Sequence, residues 1–184
     1  RSKKLVIPHI HKFYKKFKII VIENSNDESL KRILKKKYKN VDIYLKSNVG
    51  FGRAVNFASK KVKTKFFFII NPDTKIYPNT LRNLLNAAKK IDKFGAIGPV
   101  YLDQKSKYKK NAIIATKKII AAAMLVETKI FKSIEGFDKN YFLYYEDDDY
   151  FEKCNSLKLK LYHITNSFIT HKKIKKMKKK LSLH

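Results

Sequence analysis

Phe66-Phe67-Phe68-Ile69-Ile70-Asn71-Pro72-Asp73-Thr74 is the stretch on which the fold turns. Five apolar residues in a row, stopped at once by Asn-Pro-Asp, read as a strand covered on both faces. Such a strand predicts a central place in a parallel sheet. It delivers a carboxylate, Asp73, at its carboxyl end, where open α/β sheets bind their ligands. Pro72 stiffens the turn by fixing its own φ. Taken alone, the Asn-Pro-Asp turn supports two readings: a simple turn, or a carboxylate that holds a cation against substrate phosphates.

The same pattern repeats upstream. Lys18-Ile19-Ile20-Val21-Ile22 reads as a buried strand ending at Glu23-Asn24-Ser25-Asn26-Asp27. Asp27 or Ser25 can cap the next segment, Glu28 to Lys37, whose Leu30, Ile33 and Leu34 share a helical face. Val41 to Leu45 alternates as a second strand, Asn48 to Gly52 is a turn, and Arg53 to Lys61 reads as helix. Pro78 suits the first turn of a helix running to Ile91. Further on, Ala96 to Val100, Ile119 to Val126 and Leu159 to Ile164 read as strands, and Tyr150 to Leu157 as a helix. Strands alternating with helices predict an α/β fold, a Rossmann-type, mostly parallel sheet flanked by helices. Ahead of Ile19, Leu5-Val6-Ile7-Pro8 is the only strand candidate, too close for a parallel crossover. Ile10 to Phe17 therefore reads as the end of a helix whose preceding strand, the first of the sheet, is missing. The expected organisation is one domain over residues 1–171 and a Lys-rich tail over 172–184.

The chain has 184 residues, 44% of them hydrophobic, which suffices for one domain with its own core. Its formal net charge is +28, which suits nucleic acid, an anionic membrane surface or an anionic substrate. The excess is nearly all Lys; Arg stands only at Arg1, Arg32, Arg53 and Arg82. Ile, Asn, Phe and Tyr are also plentiful, so AT-rich codon usage accounts for much of the charge. A dedicated nucleic-acid reader would favour Arg, with its planar fork. Cys154 is the sole cysteine, so no intrachain disulfide forms, and it reads as a helix packing residue. No signal peptide is visible, and no apolar run is long enough to span a bilayer. The chain opens at Arg1 rather than Met, as a fragment or processed product would.

Beside Glu23 and Asp73, a third acidic feature stands out. Glu146-Asp147-Asp148-Asp149 follows the aromatic run Tyr141-Phe142-Leu143-Tyr144-Tyr145. Adjacent carboxylates repel unless a cation or a helix amino terminus offsets them. One of them could serve as a general base; equally, the four could simply open a helix. His171, after a short apolar segment, could complete a metal site. Gly50-Phe51-Gly52-Arg53 permits close backbone approach and puts a cation at a helix start, a weak anion-site pattern.

The order of these blocks carries more than any one of them. Asn48 to Asn56, Phe66 to Thr74, Glu135 to Tyr150 and then His171 resemble the family 2 glycosyltransferases, in particular their rhamnosyltransferase-like branch, which builds surface polysaccharides. The resemblance runs from Ile19 to His171. It implies a GT-A fold and inverting transfer of a single sugar from a nucleoside-diphosphate sugar to a glycan or lipid-linked acceptor. It implies that Glu23, where the family usually has Asp, contacts the nucleobase, and that Asn48, Gly50 and Arg53 lie near the donor diphosphate. It assigns Asp73 to Mg²⁺ or Mn²⁺ and the diphosphate, with His171 at the same metal. It makes Asp147 the catalytic base, with Glu146 beside it. The family's opening strand has no counterpart, which implies an amino-terminal truncation. The expected location is cytoplasmic, peripheral at the inner membrane face, where surface Lys favours anionic lipid. A degenerate homologue that binds sugar nucleotides without catalysis, or a basic nucleic-acid-binding protein, are the alternatives; the latter leaves the ordered acidic blocks unexplained.

Overall fold

The computed structural model describes residues 3–171; the Lys-rich tail at 172–184 lies outside the described residues. The described chain opens on helix α1 (Lys3–Phe13), which enters strand β1 (Ile19–Glu23). Helix α2 (Glu28–Lys37) then crosses over to strand β2 (Val41–Leu45), and helix α3 (Phe51–Ser59) follows. β1 and β2 pair in parallel, from Ile19 opposite Val41 to Glu23 opposite Leu45. Asp27 caps α2 by accepting from the backbone N–H of Ser29 and Leu30. The Ser29 hydroxyl, Lys3 and those amides hold the Asp27 carboxyl down at about 2.

Leu5-Val6-Ile7-Pro8 belongs to α1, not to a strand. Val6, Ile7 and Ile10 fall on one helical face and pack with Leu30, Leu34, Tyr38, Val41 and Ile43. Pro8 sits inside the helix, where its missing N–H costs one backbone bond to the preceding turn. Among the described residues no strand precedes α1, and β1 is paired along one edge alone, by β2.

The second sheet contains β3 (Phe66–Ile70), β4 (Thr74–Ile76), β5 (Ala96–Tyr101), β6 (Ile113–Thr116), β7 (Ala123–Glu127) and β8 (Leu161–His171). Its order is β3-β7-β5-β8-β4, with β6 also on β8. Helices α4 (Thr80–Ala88), α5 (Thr128–Ser133) and α6 (Glu146–Ser156) flank it. The fold class is α/β as expected, but the sheet is mixed rather than mostly parallel. β1–β2 and β5–β8 are parallel, whereas β3–β7, β5–β7, β4–β8 and β6–β8 are antiparallel. β3 ends the sheet instead of sitting at its centre. Both of its faces are covered all the same, as its apolar run suggests. Phe67 and Ile69 pack with Met124, Phe131 and Phe137. Phe66 and Phe68 pack against the cluster of Leu84, Ala87 and Phe94.

Boundaries also move. The strand read from Ile119 starts at Ala123, after a turn in which Ala123 N–H donates to the Ile120 carbonyl at 3.1 Å; the Ala122 carbonyl accepts from Asn71 N–H at 2.9 Å and from Thr74 Oγ1 at 3.3 Å. The last strand continues past Ile164 to His171. β5 and β8 shift register between Pro99 and Val100, where β8 jumps from Ile164 to Phe168.

α6 anchors to the sheet through Tyr150 and Cys154. The Tyr150 ring lies 5.2 Å from that of Phe137 and 5.4 Å from that of Phe131, and its hydroxyl donates to the Gly95 carbonyl at 2.9 Å. Cys154 is the packing residue its sequence position suggests: it is buried, and burial pushes its thiol up to about 11. Tyr150→Phe is expected to keep the packing and lose the buried hydrogen bond. It should lower unfolding stability by about 1–3 kcal/mol, because the Gly95 carbonyl is left unpartnered, as read by urea denaturation.

Candidate active site

The site is built where β1, β3 and β8 end. Glu23, the last residue of β1, is buried at 5% exposure. Its Oε1 accepts from the Ser25 backbone N–H at 2.8 Å and from the Ser25 hydroxyl. Asn24 ties this turn to the loop before α3. Its amide donates to Asn48 Oδ1 at 3.3 Å and to the Gly50 carbonyl at 3.1 Å, and its Oδ1 accepts from Val49 N–H at 3.2 Å. Asn48 Oδ1 accepts in turn from Gly50 N–H at 3.2 Å. Gly50 caps α3 with φ 83°, and a Cβ there would stand 2.2 Å from the Phe142 carbonyl oxygen. The loop of residues 135–145 thus lies directly on α3. Arg53, exposed in the first turn, binds that loop through the Lys139 carbonyl at 2.8 Å. Asn56 binds it through Phe137, donating at 2.7 Å and accepting at 3.0 Å.

Asp73 and His171 come together from 98 residues apart: His171 Nε2 lies 3.0 Å from Asp73 Oδ1. The antiparallel pairing of β4 with β8, which sets Thr74 opposite His171, brings them there. Both side chains remain partly exposed, at 23% and 28%. α1 borders the same turn. His9 Nε2 lies 3.1 Å from the Pro72 carbonyl, and burial lowers the His9 pKa. A cavity of about 340 Å³ is lined by Lys4, Pro8, His9 and Lys12 of α1 and by Pro72–Ile76. A carboxylate oxygen suits Mg²⁺, and a carboxylate with an imidazole suits Mn²⁺. Among the described residues no group of three or more His, Cys, Asp or Glu is arranged to hold a metal ion by itself. A cation at Asp73 and His171 would therefore take its remaining ligands from phosphates and water, the usual arrangement for a hard ion at a diphosphate.

All four acids of the third block lie in the first turn of α6, where the helix dipole favours negative charge. They differ sharply in surroundings. Glu146 is buried, with Oε2 lacking a hydrogen-bond partner among the described residues. Burial raises its carboxyl pKa, and neighbouring Asp147 adds to the shift. Asp148 pairs with Lys118 at 2.6 Å. Asp149 faces Lys153 at 3.9 Å. Asp147 is half-buried and accepts from the backbone N–H of Asp148 at 3.0 Å. Tyr144 and Tyr145, just before the helix, both adopt left-handed backbone (φ 67° and 69°), and residues 141–145 are all exposed.

These residues form two connected groups. Glu23, Asn48, Gly50 and Arg53 join Glu146 through α3: a Cβ on Gly52 would lie 3.5 Å from that of Glu146. Asp73 and His171 form the second group, linked to α6 through the segment 118–122, which touches Asp148 at one end and Asn71 and Thr74 at the other. Asn24, His9 and Lys118 hold this framework together, and the sequence did not single them out. Asn24 lay in view beside Glu23 at a strand end; His9 and Lys118 are brought in by long-range packing, for which their local sequence carries no signal.

The architecture has close parallels among solved structures. A GalNAc-T7 structure with UDP, GalNAc and Mn²⁺ superposes with TM-score 0.72 at 15% identity, over 88% of this chain and 38% of that one. The mannosyltransferase PcManGT of Pyrobaculum calidifontis, in complex with GDP-Man and Mn²⁺, gives 0.69 at 14% identity, over 86% and 50%. The fold is therefore GT-A. The model of Glycosyl transferase family 2 matches residues 6–163, and the chain belongs to that family. Among curated relatives, an uncharacterized glycosyltransferase of Rickettsia typhi is 25% identical over 146 residues, 69% of this chain and 46% of the relative. One from Rickettsia prowazekii is 30% identical over 96 residues, 50% of this chain and 30% of the relative. The chain thus matches less than half the length of either.

Two substitutions test this geometry. Gly50→Ala forces a side chain into left-handed backbone and against the Phe142 carbonyl. It should destabilise the fold by at least about 1 kcal/mol and open the 135–145 loop, seen as faster limited proteolysis there. Glu146→Gln addresses the raised carboxyl. The folded protein holds that proton more tightly than the unfolded chain does. The corresponding stability is present below the ordinary Glu range and is lost as pH rises through the raised value. The Tm of the wild type should therefore fall relative to Glu146→Gln as pH climbs from 4 to 7.

Proposed function

We propose that residues 1–171 are the catalytic domain of an inverting glycosyltransferase. It moves a single sugar from a nucleoside-diphosphate sugar to a glycan or lipid-linked acceptor. The observation that carries this reading is the Asp73–His171 pair, a carboxylate and an imidazole held 3.0 Å apart beside the end of β3. Both solved relatives named above carry Mn²⁺ with a nucleotide or nucleotide sugar, which supports a donor of that class here.

In this reading Asp73 and His171 would hold Mg²⁺ or Mn²⁺. A cation bound there offsets the negative charge that builds on the diphosphate as it leaves. Asn48, Gly50 and Arg53 position the donor diphosphate at the start of α3, where backbone N–H groups and the helix dipole favour an anion. Glu23 and its turn border the nucleobase. Asp147 accepts the proton of the acceptor hydroxyl as that oxygen bonds the anomeric carbon. The bond from that carbon to the diphosphate breaks on the opposite face, its electron pair leaves with the diphosphate, and configuration inverts. Glu146, buried against α3, fixes the first turn of α6 and so the aim of Asp147. The Lys excess favours the anionic inner face of the membrane, a setting for surface-polysaccharide synthesis of the rhamnosyltransferase-like kind. No helix among the described residues is long and apolar enough to cross a membrane.

A thermal-shift panel of UDP-, dTDP- and GDP-sugars, with and without Mn²⁺, tests the donor site. One nucleotide class should raise Tm in a metal-dependent way, and Asp73→Asn should abolish that rise. Asp147→Asn should keep the rise and lose transfer by at least about 100-fold, the usual scale for a general base. A metal-independent shift, or one unchanged in Asp73→Asn, would refute the assignment.

A further inference from the structure

A second cavity, of about 170 Å³, lies against the start of the 118–122 segment. Tyr101, Gln104, Tyr108, Lys118, Ile120 and His163 line it. It borders the register shift between β5 and β8, which Val100 and Tyr101 follow directly. Thr165, in the bulged part of β8, accepts from Ala112 N–H at 2.8 Å and donates to the Lys109 carbonyl at 2.7 Å. That fixes the loop that carries Tyr108, whose ring meets the His163 ring edge-on at 5.6 Å. Bulges of this kind re-aim side chains and gather next to active sites.

The lining has a specific chemistry. Two phenols, an amide and an imidazole surround aliphatic and aromatic surface, the mixture that orients a polar ring by hydrogen bonds while covering its C–H face. His163 Nδ1 is buried and has no hydrogen-bond partner among the described residues. Burial lowers the His163 pKa, so its ring stays neutral and uncharged towards a ligand. The volume falls below the roughly 300–1,000 Å³ of sites for drug-sized ligands, so a nucleotide does not fit. The single cation in the wall, Lys118, is already paired with Asp148 at 2.6 Å, which favours a neutral occupant over a phosphate. The same ion pair ties the cavity wall to the first turn of α6, which also carries Asp147.

We propose that this cavity is a sugar subsite that takes one neutral pyranose ring of the acceptor, with His163 Nδ1 and the Tyr101 hydroxyl hydrogen-bonded to its hydroxyls. The proposal rests on the glycosyl-transfer reading and names the side from which the acceptor enters. It makes Tyr101 and His163 acceptor-binding residues and Lys118 the positioning residue that connects the subsite to the base.

Saturation-transfer NMR on the full chain tests it, with methyl glucoside, galactoside, mannoside and rhamnoside as probes. UDP, dTDP and GDP with Mn²⁺ are titrated in parallel, each beside its own sugar conjugate. At least one glycoside should receive saturation from the wild type. His163→Phe keeps the edge contact with Tyr108 and should weaken that glycoside at least fivefold, and Tyr101→Phe should do the same. Nucleotide affinity should not change in either variant. The milder Tyr101→Phe settles the matter if His163→Phe does not fold. No glycoside bound by the wild type, or equal binding by both variants, overturns the subsite. So does a selective loss of the sugar conjugate relative to its bare nucleotide, because the cavity would then hold the donor's sugar. Failure of the donor reading would instead appear as no nucleotide bound by the wild type, a separate readout in the same samples.

Discussion

The pairing of β4 with β8 is the constraint on which the rest of the site depends. β4 is three residues long, and it begins immediately after Asp73. Its register opposite β8 sets Thr74 against His171, and so turns a strand end and a distant strand terminus into one two-residue site. The Thr74 hydroxyl donates to the Ala122 carbonyl, which fixes the same turn against the segment leading into β7. One short strand thus holds the Asp73 turn on two sides. A slip of one residue would send His171 to the other face of the sheet, since side chains alternate along a strand.

Electrostatics explains why the acids of α6 can crowd together. A helix amino terminus carries partial positive charge and unpaired N–H groups, and all four carboxylates sit in that first turn. Lys118 and Lys153 each take one of the outer two, Asp148 and Asp149. Glu146 is sunk among apolar groups, where its charged form is penalised. Asp147 is left as the half-buried carboxylate with no cation paired to it among the described residues. The acidic helix start and the catalytic reading are therefore not rivals. A helix amino terminus offsets the charge of crowded carboxylates, so an acidic helix start can also carry the proposed base.

Much of this was legible in the sequence, for identifiable reasons. β1, β2 and β3 were readable because short apolar runs bounded by polar turns leave few other choices. Asp27 as a cap and Cys154 as a packing residue follow from local chemistry. The order of the blocks pointed to Asp73 and His171, and the structure does bring these two together. Strand direction was not legible. Phe66 to Ile70 is apolar because two different clusters cover its faces, and that pattern is the same whether the neighbour runs parallel or antiparallel. β4 and β6 are too short to show a period. The Leu5–Pro8 segment looks like a strand until Val6, Ile7 and Ile10 are seen to share a buried helical face. The contacts of Lys118, His9 and His163 depend on the path of the chain between elements, which no local pattern records.

The net charge of +28 takes on a narrower meaning against this geometry. Long, exposed Lys side chains act as a diffuse field that salt screens over about 8–10 Å. Such a field raises the local concentration of an anionic donor or draws the chain towards anionic lipid, but it cannot choose between ligands. Selection has to come from the few places where polar groups are fixed. Here these are the Asn24–Asn48–Gly50 network, the Asp73–His171 pair and the acid turn of α6. Among the described residues Lys118 pairs with Asp148, and Lys153 faces Asp149 at 3.9 Å. The basic surface therefore accounts for attraction, and the small acidic interior of the site for chemistry. That division is what the proposed reading requires, with an anionic donor and a carboxylate as base.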